Sequence, residues 1–494
     1  MAIKKSFFLY LAFFVICLFF SFISTSYDYD FFARIIVGQR FLVSGILPYE
    51  DFLSYTPTHP WFDHEWGSGV VFYAVLKFLK PIGLLFLQAV LAFGTVFFII
   101  KSQKLQRKYL PISLAFMSIF IFLFSKLNPT IIRCQMFSFF FFAVFIYLLE
   151  DYKKNSASNK IWWILPLTIV WNNLHGGIVS GLGIAFLYMI CMFFTRQNWK
   201  KLAGVLSLSS LSLIINPYGY KYLKFLFSAS TMNREFINEW WSVLDKSNIS
   251  YYGPVVLVIL IIFSISLFIS FKNKKFDYTK ILVLLVTIFL GIAHVKLISL
   301  ALIATFALCY QDVIKFCAKL KHYLKPIEKS FRYIVVFLII LLPLLSPNTP
   351  RVDFTRIPFL ETEFLKINDI KGNLLVPFGY GSYISYKLYP NNLIFMDGRY
   401  EEVYDNSLFM ELKDFSLGKD GWKDFLTKYD TQIVMVEKFY KVSEFLKLDN
   451  SWTLVYEGPL CTIFVHNENL KKEYKKPEVS RAYYQKTVFE TESF

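Results

Sequence analysis

The chain has 494 residues, of which 55% are hydrophobic and 56 are phenylalanines. A soluble protein of this size has no core large enough to hide that much apolar surface. The net charge of +16 does not point to nucleic acid, because Lys and Arg cluster in short loops between apolar runs and no basic-aromatic domain accompanies them.

The first apolar run, Ser6–Phe20 extended by Ser21–Ser24, is long enough to cross a hydrocarbon layer of ~30 Å at about 1.5 Å per residue. Lys4 and Lys5 precede it, as they would a signal peptide, but no small-x-small cleavage site follows. It reads as a retained first helix. The loop after it opens with Tyr27-Asp28-Tyr29-Asp30. Two carboxylates at i and i+2 beside lipid are costly unless they hold a metal, meet a basic partner or act as a base. The plain alternative is a pair of solvated acids marking the membrane surface. Arg34, Arg40, Glu50-Asp51, His59-Pro60-Trp61 and Asp63-His64-Glu65-Trp66 follow. Loops of this length are more often functional than passive.

Candidate spans fall at about 6–24, 82–100, 109–125, 133–149, 161–174, 177–195, 202–216, 252–271, 279–293, 296–312 and 331–346. The segment Glu65–Lys80 is apolar enough for a short crossing, but a crossing there would flip every later loop, so it reads as an interfacial helix. The loops then alternate in character. Lys4 and Lys5, Lys101 to Lys108, Lys153 to Lys160, Arg196 to Lys201, Lys272 to Lys280, and Lys315 through Arg332 fall on one side. By the positive-inside rule that side is the cytoplasm.

The opposite side collects the unusual polar residues. Besides the first loop it receives Arg133, the turn Asn172–Gly177 with His175, Asn216-Pro217-Tyr218-Gly219, Glu239-Trp240-Trp241, His294 and Lys296. Each has a plain reading: Asn-Pro and Gly-Gly break helices, and Arg or Lys at a span end snorkels to the interface. Their convergence on one face favours function. Carboxylates can bind a divalent cation or deprotonate a hydroxyl, basic groups can hold a phosphate leaving group, and aromatics can stack on sugar rings. Together these fit a reaction between a lipid-phosphate donor and a water-side acceptor.

After Pro350 the pattern changes. Short apolar runs at Asn373–Pro377, Leu393–Met396, Ile433–Val436, Leu454–Tyr456 and Thr462–Val465 read as strands. Helical stretches at Ser382–Leu388, Gly421–Tyr429 and Val442–Leu448 alternate with them, which predicts a small α/β domain. The chain therefore divides into a membrane domain at 1–349 with a large first outer loop at 25–81, an extracytoplasmic α/β domain at 350–468, and a charged tail at 469–494. The six cysteines form no CxxC pair and no disulfide framework, so neither a zinc nor a redox motif is present.

Asp30-Phe31-Phe32-Ala33-Arg34, placed after the first span and followed by a long loop, resembles the multispan glycosyltransferases of the GT-C type. So does the stretch Asp28–Trp66, with Leu47–Thr56 and Trp61–Trp66, and so do Asn173–Gly177 and Asn216–Gly219. The resemblance covers most of the chain in organisation but only these patches in sequence. It implies a GT-C-like fold of about eleven spans and a sugar donor linked to polyprenyl phosphate. Phe378–Ser385 followed by Leu393–Arg399 is similar to the region of oligosaccharyltransferase catalytic subunits that carries Trp-Trp-Asp-Tyr-Gly. Here the Trp pair is absent and Gly379 replaces the Asp, which argues against recognition of an asparagine sequon.

By this resemblance Asp30 is the catalytic carboxylate, with Asp28 its alternative or partner. Arg133, His294 and Lys296 are candidate ligands of the donor phosphate. Asp63, His64 and Glu65 are candidates for the acceptor or metal site, and His175 shapes the cavity. The family's second acidic motif is missing, because Lys126–Arg133 holds no carboxylate. Dependence on Mg or Mn therefore stays open beside a metal-independent mechanism in which Asp28 or Asp30 acts as general base. The expected activity is transfer of a sugar, hexosyl or pentosyl, to a glycan, lipid or protein acceptor at the periplasmic or cell-surface side of a bacterial inner membrane. A transporter or flippase of lipid-linked glycan, and a non-catalytic glycan-binding relative, are the alternatives. Asp397-Gly398-Arg399 reads as a strand end in a tight turn.

Overall fold

The computed structural model describes residues 2–23, 26–103, 109–128, 131–232, 234, 237–318, 330, 333–334, 337–338, 341 and 357–477. Most of the expected eleventh span at 331–346 and of the basic loop Lys315 through Arg332 lies outside the described residues. So do Lys104, Arg107 and Lys108, the division at 349, and the tail beyond 477. The chain forms two compact units. One comprises Met1–Thr25, Ile82–Leu226 and Thr231–Pro350; the other comprises Ser26–Pro81, Phe227–Ser230 and Arg351–Phe494.

The first unit is helical. Among the described residues five helices are long and apolar enough to cross a membrane: Trp66–Gln103, Leu110–Leu127, Gln135–Lys154, Ile249–Lys272 and Val295–Phe316. The first helix is Ala2–Ile23, of 22 residues, and Ile178–Phe194 and Tyr278–Ala293 are shorter apolar helices. The chain is thus an integral membrane protein, and the described residues do not confirm the expected count of about eleven spans. The runs at 161–174, 177–195, 202–216 and 279–293 fold into α-helices of 11, 17, 13 and 16 residues. At 1.5 Å per residue these fall short of a ~30 Å core. Their bounds nonetheless lie close to those of the expected runs.

The helix Ile298–Phe316 is the most buried of the set, with Ala301, Ala304 and Ala307 inside. Small residues let neighbouring backbones approach. A methyl built on Gly291 of the adjacent helix would meet Ala301 Cβ at 3.2 Å. Phe116 stacks on Phe306 at 4.4 Å between ring centroids. Lys280, in the first turn of Tyr278–Ala293, donates to Asp312 Oδ2 at 2.5 Å and to Ser266 Oγ at 2.8 Å.

Helix Trp66–Gln103 breaks at Lys80, whose φ is 62°. Pro81 follows and cannot donate to the ladder. The part before the break belongs to the second unit and the part after it to the first.

The second unit is built on a five-stranded sheet. Its strands are β1 (Gly372–Leu375), β2 (Asn392–Ile394), β3 (Ile433–Glu437), β4 (Trp452–Glu457) and β5 (Cys461–His466). Each overlaps a run singled out in the sequence. The order is β2-β1-β3-β5-β4. The first three strands are parallel, and β5 runs antiparallel to both β3 and β4. Leu374 and Leu375 pair with Ile433 and Val434, and all four are buried. That is the continuous apolar reading of a covered parallel sheet. Helices Gly381–Leu388, Trp422–Lys428 and Lys441–Leu448 lie where expected. Phe359–Ile367, Tyr400–Val403 and Asn406–Ser416 add to them.

Residues 26–81, expected as a loop of the membrane domain, group instead with this sheet. The backbone gives the reason. Ile394 N–H donates to Leu53 C=O at 2.9 Å and Tyr55 N–H to Ile394 C=O at 3.1 Å, so the loop adds itself to the exposed edge of β2. An edge strand with unpaired groups is a template for such pairing. Helix Tyr29–Ser44 then covers the unit's apolar side, with Phe32 packed against Tyr383 and Tyr386.

Candidate functional site

In the second unit the polar residues of the first loop close on a buried charge cluster. Arg34 is buried on helix Tyr29–Ser44. Its Nη1 donates to Asp63 Oδ1 at 2.7 Å, its two terminal nitrogens each donate to Glu402 at 2.9 Å, and its Nε lies 2.8 Å from Glu65. His64 Nδ1 lies 2.6 Å from Glu402 Oε1. The indole N–H of Trp61, fully buried, donates to Glu402 Oε2 at 2.8 Å. A guanidinium presents a planar fork of donors that suits carboxylates two at a time.

Burial sets the charge states. It pushes the Asp63 carboxyl up to about 6, with Arg34 resisting and Glu402 assisting. Burial also disfavours charge on Glu402, but Arg34 and the His64 hydrogen bond outweigh it and hold Glu402 at about 2. Burial would lower His64, yet the hydrogen bond and charge of Glu402, with Glu65 and Glu401 behind, push it up to about 9.

A second guanidinium stands beside this cluster. Arg399 Nε donates to both oxygens of Asp397 at 2.8 and 3.0 Å, and Nη1 donates to Asp51 at 2.5 Å. Nη2 reaches Tyr404 Oη at 3.0 Å and Ser54 Oγ at 3.2 Å. The guanidinium carbon lies 4.4 Å over the Trp61 ring, so Trp61 joins the two clusters by its face and its edge. Glu402 was not singled out from the sequence, and Asp51 and Arg399 were read only as a loop acid and the end of a tight turn. The charged run Arg399-Tyr400-Glu401-Glu402 directly after an apolar strand was the available signal.

Asp28 and Asp30 sit at the start of helix Tyr29–Ser44. Asp28 is its N-cap and accepts from the Asp30 N–H at 3.0 Å, a residue type that suits the position. Asp30 lies against the turn Asp397-Gly398-Arg399, where a methyl on Gly398 would fall 1.8 Å from Asp30 Oδ1. Gly398 is therefore required for the carboxylate to lie where it does.

In the first unit Arg133, His294 and Lys296 converge on Glu239-Trp240. Arg133 pairs with Glu239 Oε1, and Lys296 Nζ lies 3.8 Å from Glu239 Oε2. His294 Nδ1 lies 2.8 Å from the Trp240 carbonyl, and Lys296 stands 5.4 Å from the Trp240 ring centre. Arg133, Glu239 and Lys296 line a cavity of about 220 Å³ whose other wall includes Phe20, Ile121, Phe124 and Phe139.

His175 is placed apart from these groups. Trp171 Nε1 donates to Ser138 Oγ, which lies 2.7 Å from His175 Nδ1, and that nitrogen also accepts from the Gly177 N–H at 2.9 Å. A nitrogen accepting from a backbone N–H carries no proton, so Ser138 is the donor of their bond. His175 caps the helix Ile164–Leu174. A methyl on Gly177 would come within 2.6 Å of its ring.

Among the described residues no three His, Cys, Asp or Glu side chains are arranged to hold an ion. The carboxylates of Asp63, Glu65 and Glu402 are engaged by Arg34. With its carboxylates held by a guanidinium, the Asp63, His64 and Glu65 set does not fit a metal ion.

No family model and no curated protein matches the sequence. Solved structures that share its fold include two of an oligosaccharyltransferase from Archaeoglobus fulgidus. The apo form is 9% identical, with a TM-score of 0.58 over 87% of this chain and 69% of that one. The form tethered by a disulfide to an acceptor peptide containing the NVT sequon is 11% identical, with a TM-score of 0.57 and the same coverage. At such identities the likeness concerns the fold alone: this chain is a membrane protein whose fold is similar to that of these oligosaccharyltransferase structures.

Proposed function

We propose that the protein is a glycosyltransferase that moves a sugar from a polyprenyl-phosphate donor to an acceptor on the extracytoplasmic side. The observation that carries this reading is the cavity of the first unit, which has an aromatic and aliphatic wall beside Arg133 and Lys296. An apolar wall suits a lipid chain, and two cations suit a phosphate. The oligosaccharyltransferase-like fold supports the same class.

In this reading the bond between the sugar's anomeric carbon and the phosphate oxygen breaks as the acceptor's nucleophilic atom bonds to that carbon. The phosphate leaves with the bonding electrons, held by Arg133 and Lys296, while Glu239 must give up its hold on them. The acceptor's proton passes to a base. Asp30 is the proposed base, with Asp28 as its alternative or partner. Positioned general bases contribute about 10²–10⁴-fold.

The test replaces Arg133 and Lys296 by Gln, and Asp28 and Asp30 by Asn, singly and together, in the full-length protein. Surface glycans and lipid-linked sugars are then compared with the parent strain. Loss of one glycan with build-up of its lipid-linked donor is the expected result. A strain in which deleting the protein changes glycans, while all four substitutions leave them unaltered, rejects the proposed roles.

One observation favours a second reading. Asp28 has a structural task as a helix cap, which a non-catalytic glycan-binding relative would also need. In that case the Asp28 and Asp30 variants retain full function while the Arg133 and Lys296 variants lose it.

A further inference from the structure

The last turns of helix Tyr29–Ser44 border a cavity of about 380 Å³ that the proposed transfer does not use. Its lining includes Gln39, Arg40, Val43, Ile46, Phe52 and Tyr389, all in the second unit. Gln39 is 4% exposed, and its Oε1 is buried with no hydrogen-bond partner among the described residues. An unsatisfied buried acceptor is costly, so a site that keeps one is suited to a donor brought from outside. Arg40 makes no ion pair among the described residues; its guanidinium carbon lies 4.2 Å over the Phe52 ring. Stacking of this kind fixes the plane of the fork and leaves its N–H edge for a ligand. Tyr389 packs edge-on against Phe52 at 5.2 Å, and Val43 and Ile46 form an exposed apolar rim, 66% and 58% accessible.

We propose that this pocket binds a sugar unit bearing a carboxylate. The three features select that class together. The guanidinium asks for a bidentate anion. The orphaned amide oxygen asks for a hydroxyl donor. The aromatic and aliphatic lining asks for the C–H face of a ring. A bare phosphate offers no apolar face, and a lipid tail offers neither the anion nor the donor. The cavity is of the size that small ligands occupy.

The inference concerns binding and stands independently of any transfer reaction, so it is tested without turnover. Saturation-transfer NMR on the full-length protein in detergent, with glucuronate, glucose and inorganic phosphate as probes, reads it directly. Saturable binding of glucuronate is expected, weakened about tenfold or more by Arg40→Gln and by Gln39→Leu. Val43→Trp lies at an exposed position and fills the cavity without removing a polar group, so it should abolish the signal in a folded protein. Binding of glucose as tight as that of glucuronate would overturn the acidic-sugar assignment. Phosphate binding as tightly as glucuronate, or detergent displacing it, would overturn it too, as would Arg40→Gln and Val43→Trp proteins that bind like the parent.

Discussion

Arg34 and Glu402 stand 368 positions apart in the chain and meet through two hydrogen bonds of 2.9 Å in a site that excludes solvent. The pairing joins helix Tyr29–Ser44 to the short helix Tyr400–Val403. With Asp63 sharing Nη1 and Glu65 beside Nε, Arg34 is the hub that keeps the first loop folded onto the sheet of the second unit.

Removing one partner should therefore unfold this unit more easily. Glu402→Gln keeps the shape but deprives Arg34 and His64 of their shared counter-charge. Breaking a buried pair costs about 3–5 kcal/mol. Thermal unfolding of the detergent-solubilised protein checks this, and an unchanged midpoint would show the pair to be dispensable. Arg34→Lys should recover little, because an ammonium lacks the fork.

Stability should also fall in alkaline solution. His64 is held at about 9 in the folded chain, against about 6.5 when unfolded. The folded form thus binds its proton more tightly. The contribution is complete below about pH 6.5 and is lost as pH rises through 9, at up to about 1.4 kcal/mol per pH unit. His64→Gln should flatten this limb. Glu402 acts in the opposite range: held at about 2, it stabilises above about pH 4.5 and loses that effect as pH falls through 2. Asp63, raised to about 6, works against it, stability falling as pH rises from about 4 to 6. Chemical denaturation profiles across pH, compared between parent and His64→Gln, decide the matter.

Trp61 should show two separable effects. Trp61→Phe removes the hydrogen bond to Glu402 while keeping a ring beneath Arg399. Leaving one buried acceptor site short of a donor costs about 1–3 kcal/mol. Trp61→Ala adds the cavity and loses the stack, for about 3–5 kcal/mol. Equal destabilisation by the two substitutions would mean that the indole N–H carries the whole effect.

Asp30 and Gly398 should behave as one feature. Gly398→Ala would place a methyl 1.8 Å from Asp30 Oδ1 and force the carboxylate away. If Asp30 is the base, Gly398→Ala and Asp30→Asn reduce transfer to a similar degree, by about 10²-fold or more, and the double variant is no worse than either. Asp28→Asn, by contrast, retains the helix cap, since Asn caps about as well as Asp. A fully active Gly398→Ala protein would count against Asp30.

Much of this protein is written locally. Continuous apolar runs and basic loops mark a membrane protein because the cost of burying charge in lipid acts residue by residue. The strands at Gly372–Leu375, Ile433–Glu437 and Cys461–His466 declare themselves because a covered sheet needs unbroken apolar segments. Asp28 stood out as a carboxylate at the end of the first span, whereas the helix Tyr29–Ser44 that it caps was read as loop. Helix ends were legible where a turn signal interrupts the apolar run, as at His175 and His294.

Tertiary structure decided the partners. Nothing near Arg34 in sequence announces Glu402, and nothing near Arg399 announces Asp51, 348 positions away. Ion pairing depends on distance in space and on the exclusion of water, and chain connectivity restricts neither at such separations. Asp63, His64 and Glu65 look like a ligand set when read alone. The fold set Arg34 among them, and the same carboxylates became the counter-charges of a buried guanidinium.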